Sequence, residues 1–301
     1  MNAAETKPGA SDLADEAAWP RATLDVDYNA RGSVAVDVFE AAMRDYRALS
    51  EACRGTCLER TDIVYDRISG QTLDVLGDGR RTPRPVFVFI HGGYWRALSK
   101  HDSMFMAGAL ARHGVATVVI DYRLAPAASL REIVREVRAA CAYLWSEGEG
   151  LGLDRNRMFV GGSSAGAHLA ATILSGGWHR DHGVPEDVIK GALLVSGLYH
   201  LAPVAKCFAQ EWARLDDGAV RDLSPAENPP VCRQPVIVAY AQTEAPGFTR
   251  QSRAYHGLLS RVGVPARLLE IGERNHFDVI LDLADEASVL SRALMDMITR
   301  R

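Results

Sequence analysis

Phe159-Val160-Gly161-Gly162-Ser163-Ser164-Ala165-Gly166-Ala167-His168 is the stretch on which the fold turns. An apolar strand runs into Gly162-x-Ser164-x-Gly166, and a helix-forming segment follows. The spacing has a chemical reason. A serine hydroxyl is a weak nucleophile until a base takes its proton. A tight strand-to-helix turn lifts Oγ out of the sheet toward that base, and the crowded turn leaves room only for glycine on either side. The helix behind it aims its first amides at developing negative charge. Two serines are adjacent, so register matters. Centring on Ser163 would give Gly161-x-Ser163-x-Ala165 and lose the second glycine, which makes Ser164 the expected nucleophile. A chance glycine-serine turn is the bland alternative, and the flanking strand and helix argue against it.

The same strand signature recurs on both sides. Val86–Ile90, Ala116–Ile120, Met158–Val160, Ala192–Val195 and Val236–Ala239 are apolar without alternation, as strands covered on both faces are. Helical patterns follow them at Asp102–Arg112, Leu130–Trp145, Ala165–Leu174 and Arg250–Val262. A short strand at Arg267–Ile271 precedes a helix at about Asp278–Met297. Upstream, Val34–Ala52 reads as an amphipathic helix, and Leu58–Tyr65 with Thr72–Leu76 as a hairpin. The expected class is α/β, a mostly parallel central sheet with helices on both faces. Residues 1–20 read as a flexible tail and 21–301 as a single domain. Within it, residues 199–230 break the rhythm and suggest a lid, a pocket wall or a surface insertion without a role.

Two further loops complete the chemistry. His91-Gly92-Gly93-Tyr94-Trp95 follows the first buried strand, where paired glycines let amides face a carbonyl oxygen. Gly92, Gly93 and Ala165 are therefore the expected oxyanion donors. His91 is expected to tie this loop together by hydrogen bonding. Tyr94 and Trp95 either wall an aromatic pocket or pack beneath the loop. Near the C-terminus, Asn275-His276-Phe277-Asp278 sits between the last strand and the last helix. The chain order nucleophile, acid, base puts the histidine last, which selects His276. His168 and His256 fall within helices and read as packing or surface residues. The acid should lie just past Val236–Tyr240, where Glu244 stands; Asp278, Asp216 and Asp217 are the alternatives.

Composition narrows the classes. The chain has 301 residues, 48% hydrophobic and 24% charged, which excludes disorder over most of its length. A net charge of −4 offers no electrostatic footprint for nucleic acid or anionic lipid. Five scattered cysteines suit a reducing compartment, and Cys53-x-x-x-Cys57 lacks a second pair at zinc spacing, so no metal site is expected. His179-Arg180-Asp181-His182 reads as a solvated polar run. No signal peptide or membrane-spanning run is visible, and a cytoplasmic location follows as the expectation.

At these residues the sequence resembles the α/β-hydrolase fold, in the HGG-loop branch shared with hormone-sensitive-lipase-like esterases. More narrowly it is similar to the kynurenine formamidase (arylformamidase) family. His91–Trp95, the elbow at Ser164 and Asn275–Asp278 carry the resemblance, with Tyr28-Asn29-Ala30-Arg31 near the start. Asp121-Tyr122-Arg123-Leu124-Ala125-Pro126 matches a segment of the wider branch. The likeness runs from about Tyr28 to the last helix. The elbow is specific for the fold and the loop for the branch, while no single motif specifies a substrate. Glu244 departs from the family, where Asp is expected more often.

The resemblance implies a serine hydrolase with a Ser164–His276–Glu244 triad and no cofactor. Its substrate would be an N-formyl arylamine, N-formyl-L-kynurenine above all, cleaved to L-kynurenine and formate in tryptophan degradation through a formyl-enzyme on Ser164. A broad carboxylesterase, another aryl amide or carbamate hydrolase, and a catalytically silent binding protein are the alternatives. The expected partner is a small aromatic formamide or ester, with no nucleic acid and no membrane; a homodimer is compatible with this reading.

Overall fold

In the strand Arg84–Ile90, Val86, Val88 and Ile90 join one buried cluster and Phe87 and Phe89 another. Side chains alternate along a strand, so one that is apolar at every position must be covered on both faces. The computed structural model describes residues 13, 15–80 and 82–300, and within these the strands form one sheet. They are β1 (Leu58–Asp66), β2 (Gln71–Leu76), β3 (Arg84–Ile90), β4 (Ala116–Ile120), β5 (Leu153–Ser163), β6 (Ile189–Val195), β7 (Val236–Thr243) and β8 (Ala266–Asn275). The spatial order is β1-β2-β4-β3-β5-β6-β7-β8. Only β2 runs against its neighbours; from β4 to β8 all pairs are parallel.

The helices are α1 (Arg21–Asp27), α2 (Val36–Cys57), α3 (Ala107–Arg112), α4 (Leu130–Glu147), α5 (Ala165–Leu174), α6 (Gln210–Ala213), α7 (Asp217–Leu223), α8 (Pro246–Arg261) and α9 (Val289–Thr299). One face of the sheet is covered by α4, α5 and α8, which contribute Val137, Leu169 and Tyr255. The other is covered by α2, α3 and α9, through Tyr46, Leu110 and Leu294. Helix α4 starts where Ser129 and Glu132 cap each other reciprocally, which satisfies two otherwise orphaned amides.

The sheet places the chemistry. In an open parallel sheet, ligands bind beyond the carboxyl ends of the strands. The Gly92–Gly93 loop leaves β3, Ser164 leaves β5, Glu244 leaves β7 and His276 leaves β8, all at that end. Ile90 pairs with Gly162, which brings the glycine loop beside the elbow. Thr243 pairs with Asn275, so Glu244 and His276 emerge side by side.

Several expectations need correction. The described part of residues 1–20 is not a frayed tail. Leu13 and Glu16 are buried, and Glu16 accepts hydrogen bonds from Tyr28 and Arg250; residues 1–12 and 14 lie outside the described set. The helix expected from Asp102 starts at Ala107, after a separate 3-10 turn at Lys100–Asp102. Between them the chain leaves a helical course, and the Met104 amide donates to Ser50 Oγ of α2 instead of to a helical carbonyl. The helix expected over Asp278–Met297 is divided into a 3-10 segment, Val279–Ala284, and α9. Ser288 causes the break by capping α9 through Ser291 N. His179 is buried and stacked on Trp178, so the run it begins is not simply solvated. Among the described residues, no helix is long and apolar enough to cross a membrane.

Candidate active site

Strand β5 stops at Ser163, and Ser164 takes φ +57° and ψ −121° before α5 begins. A non-glycine residue in that region is strained by about 1–3 kcal/mol and persists only where its surroundings hold it. They do so here by close backbone contact. A Cβ on Gly162 would stand 2.5 Å from the carbonyl carbon of Gly166, and one on Gly166 would overlap the Ile90 carbonyl oxygen. The amide of Ser164 donates to Val195 O at 2.8 Å, which fixes the turn to β6. The two glycines of the motif are thus required by packing, and the strained position is Ser164 rather than Ser163.

The glycine loop is oriented from behind. The Tyr122 hydroxyl donates to the carbonyls of His91 and Gly92, at 2.9 and 3.1 Å. In a trans peptide the N–H points opposite to the C=O. Holding these two carbonyls back therefore turns the amides of Gly92 and Gly93 forward. Neither amide has a backbone or side-chain acceptor among the described residues. Ala165 opens α5, where the first amides have no helical acceptor. Gly93 sits at φ +89°, and a Cβ there would collide with the Ala97 backbone.

His91 is buried and stacks on Tyr122, with ring centroids 4.1 Å apart. Its Nδ1 lies 3.0 Å from Gly92 O, and burial pushes its pKa down. This is the loop-tying role expected of it. Trp95 does not reach the cavity. It is buried beneath the loop, and its Nε1 donates to His168 Nδ1 at 3.2 Å. Of the two roles expected of Trp95, it takes packing beneath the loop and not the pocket wall, its indole turned inward where His168 accepts from the N–H. His168 in turn donates from Nε2 to Leu223 O at 2.9 Å, linking the loop, α5 and α7. Tyr94 does line the cavity; its hydroxyl donates to Tyr28 O at 2.5 Å.

His276 Nδ1 lies 2.8 Å from Glu244 Oε2. The carboxylate is fully buried and the imidazole nearly so, at 0% and 3% side-chain exposure. In this environment the carboxylate fixes the tautomer, with the proton on Nδ1 and the lone pair on Nε2. Phe248 packs against the imidazole at 4.3 Å between centroids. Asp278 is turned away: its carboxylate accepts from the backbone and side-chain nitrogens of Asn275. Asp216 caps α7 instead, accepting from Ala219 N.

Ser164 and His276 open on one cavity of about 260 Å³. Phe39, Met43, Tyr46, Leu98, Phe277 and Ile280 give it an apolar wall, and Arg31 and Arg96 also line it. None of its lining residues comes from 199–230. That segment stands one layer behind: Trp212 donates to Tyr94 O at 2.9 Å and packs edge-on against the Tyr94 ring. The contribution of α2 was not visible in sequence, because its apolar positions carry no mark that separates a pocket wall from core packing. A larger groove, about 1000 Å³, lies at Arg157, Lys190 and Arg267, near the opposite ends of the strands, away from this chemistry.

A strained serine beside forward-facing amides, with an imidazole held by a buried carboxylate on the same cavity, can carry out acyl transfer by addition and elimination. Comparison with known proteins agrees. The BD-FAE family profile matches residues 73–188. A kynurenine formamidase from Danio rerio is 31% identical over 270 residues, covering 87% of this chain and 89% of the relative. A solved structure from Silicibacter sp., described provisionally as a thioesterase, superposes with a TM-score of 0.77 at 25% identity over 90% of this chain and 98% of its own. A thermostable carboxylesterase from a metagenomic library gives a TM-score of 0.69 at 19% identity, over 87% of this chain and 96% of its own, which shows a shared fold.

Proposed function

Since the chain belongs to the kynurenine formamidase family and is a serine hydrolase of the α/β-hydrolase fold, we propose that it hydrolyses N-formyl arylamines, N-formyl-L-kynurenine above all. The observation that carries this is the arrangement on one small aromatic cavity of Ser164 and the Glu244-held His276. The relatives' formamidase activity supports the choice of substrate.

In this reading Ser164 Oγ attacks the formyl carbon while its proton passes to His276 Nε2. The C=O pair moves onto oxygen, and the oxyanion is met by the amides of Gly92, Gly93 and Ala165. Each such donor contributes about 3 kcal/mol to the transition state. Glu244 accepts from Nδ1–H and stabilises the imidazolium. When the tetrahedral species collapses, the C–N bond breaks and His276 returns its proton to the departing nitrogen. An aryl nitrogen is weakly basic, so it leaves more readily than an alkyl amine. Water then attacks the formyl ester, giving a proton to His276; the C–Oγ bond breaks, Ser164 is reprotonated and formate departs. A formyl group is the smallest acyl group, and a cavity of about 260 Å³ suits it joined to one aromatic ring.

The deciding measurement compares kcat/KM on N-formyl-L-kynurenine with that on 4-nitrophenyl acetate. The formamide should be preferred, and a strong preference for the ester would make this a general esterase. Fluorophosphonate should label the protein and fail to label Ser164→Ala, whose turnover should fall by about 10³-fold or more.

A further inference from the structure

The cavity carries a charge pattern that formyl transfer does not use. Arg31 and Arg96 both line it, and no acidic side chain does. Among the described residues, neither guanidinium has a carboxylate within salt-bridge distance, whereas Arg84, Arg123 and Arg250 each do. Both are held by aromatic faces instead. The Arg31 Cζ lies 4.5 Å from the centroid of Phe39, and that of Arg96 lies 3.8 Å from Trp212. A ring face positions a guanidinium without neutralising it. Arg31 Nη1 donates to the Val34 carbonyl at 3.3 Å, and the remaining N–H groups of Arg31 and the fork of Arg96 have no acceptor among the described residues.

The two supports converge on the reaction centre. Phe39 meets Phe277 edge-on at 4.8 Å, and Phe277 is the neighbour of His276. Trp212 backs Tyr94, which leaves the glycine loop. Two uncompensated cations thus flank an apolar cavity that opens on Ser164. Positive charge at the rim of a low-dielectric pocket raises the local concentration of anions and favours bidentate carboxylate binding.

We propose that Arg31 and Arg96 form a carboxylate subsite, so that the preferred substrates are aromatic acyl compounds bearing an anionic group on the side away from the scissile bond. The proposal rests on the assignment of this cavity as the active site. It also separates the two ends of a zwitterionic substrate: its carboxylate is bound, and its ammonium, for which the cavity offers no acid, faces solvent.

The test is made on the whole enzyme, using hydrolysis of 4-nitrophenyl acetate as the readout. Competitive inhibition by 3-phenylpropanoate is compared with that by 3-phenylpropanamide, a neutral isostere. The anion should bind roughly tenfold more tightly, the scale of one charge-assisted hydrogen bond, and its advantage should shrink as salt is raised. In Arg31→Gln and Arg96→Gln the ratio of the two inhibition constants should fall toward one, and Arg31→Lys should keep part of it. Equal inhibition by acid and amide in the wild type, or an unchanged ratio in both Gln variants, overturns the subsite. Formate release from 3-(2-formamidophenyl)propanoate tests the formamidase reading separately: its absence would reject that reading while leaving the inhibition ratio to decide the subsite.

Discussion

At the scale of single residues, the site is defined by atoms with no freedom to move. Gly166 has no space for a methyl group, because the Ile90 and His91 carbonyls occupy it. Gly166→Ala should lower stability by at least about 2 kcal/mol, the cost of overpacking against backbone that cannot yield, measured as a fall in the denaturation midpoint. Glu244 is hydrogen-bonded to His276, and in the proposed mechanism it acts through that ring. Glu244→Gln keeps the shape but not the charge, and should lower kcat by about 10²–10⁴-fold while KM changes little. A variant with unaltered kcat would leave the acid to another carboxylate. His168 is a neutral buried ring whose pKa is pushed down to about 4 by burial. In the unfolded chain it would titrate near ~6.5. Above that pH both states are unprotonated and nothing changes. Below it the unfolded chain holds the extra proton, so stability falls as pH falls, by about 3 kcal/mol on reaching pH 4. Urea unfolding of His168→Asn should lack this component of the pH slope, and parallel profiles for variant and wild type would contradict it.

At the scale of elements, the argument concerns how loops inherit their aim from strands. The glycine loop is short and rich in backbone freedom, so something outside it must orient its peptides. Tyr122, just beyond β4, does so with one hydroxyl on two carbonyls. Tyr122→Phe removes both hydrogen bonds and preserves the stack on His91. We expect kcat to drop by about tenfold, a fraction of what a lost oxyanion donor costs, with little change in KM. A rise in KM alone would place Tyr122 in substrate binding instead. Helix α2 has the opposite character. Its Tyr46 packs against Phe105 and also, with Phe39 and Met43, reaches the cavity. It is both a cover for the sheet and a wall for substrate.

At the scale of the whole molecule, the N-terminal segment fastens the two ends of the site together. Glu16 is buried and pairs with Arg250 of α8, which also holds Asp27 of α1. The Tyr28 hydroxyl donates to Glu16, and the Tyr28 carbonyl accepts from Tyr94 on the cavity. Without Glu16, Arg250 keeps Asp27, but the buried Tyr28 hydroxyl loses its acceptor. Glu16→Ala should therefore cost about 1–3 kcal/mol of stability, read by calorimetry or denaturant, and it should also raise KM by loosening Tyr94. If thermal stability were unchanged, the segment would be an appendage rather than a clasp.

Periodicity and short-range geometry determined much of this from the sequence. Apolar runs without alternation mark strands clothed on both faces, and β4 and α5 have the bounds read from the pattern, Ala116–Ile120 and Ala165–Leu174. The turn at Ser164 was legible because its constraint is local: two glycines four positions apart, each in close contact with backbone. The order of strand ends also pointed to Glu244 and His276, which the register of β7 and β8 brings to 2.8 Å. Other features belong to the tertiary structure alone. Trp95 and Tyr94 are neighbours in sequence, yet one is buried under the loop and the other faces the cavity, because acceptors distant in the chain, His168 and the Tyr28 carbonyl, choose their directions. Arg31 and Arg96 meet on one cavity only after α2 has folded across the sheet, and the charge of Glu16 is met by a partner 234 residues away. Local sterics are written in adjacent residues; the partners that satisfy a buried polar group or support a charge are not, since they come together through contacts whose sequence separation no local pattern records.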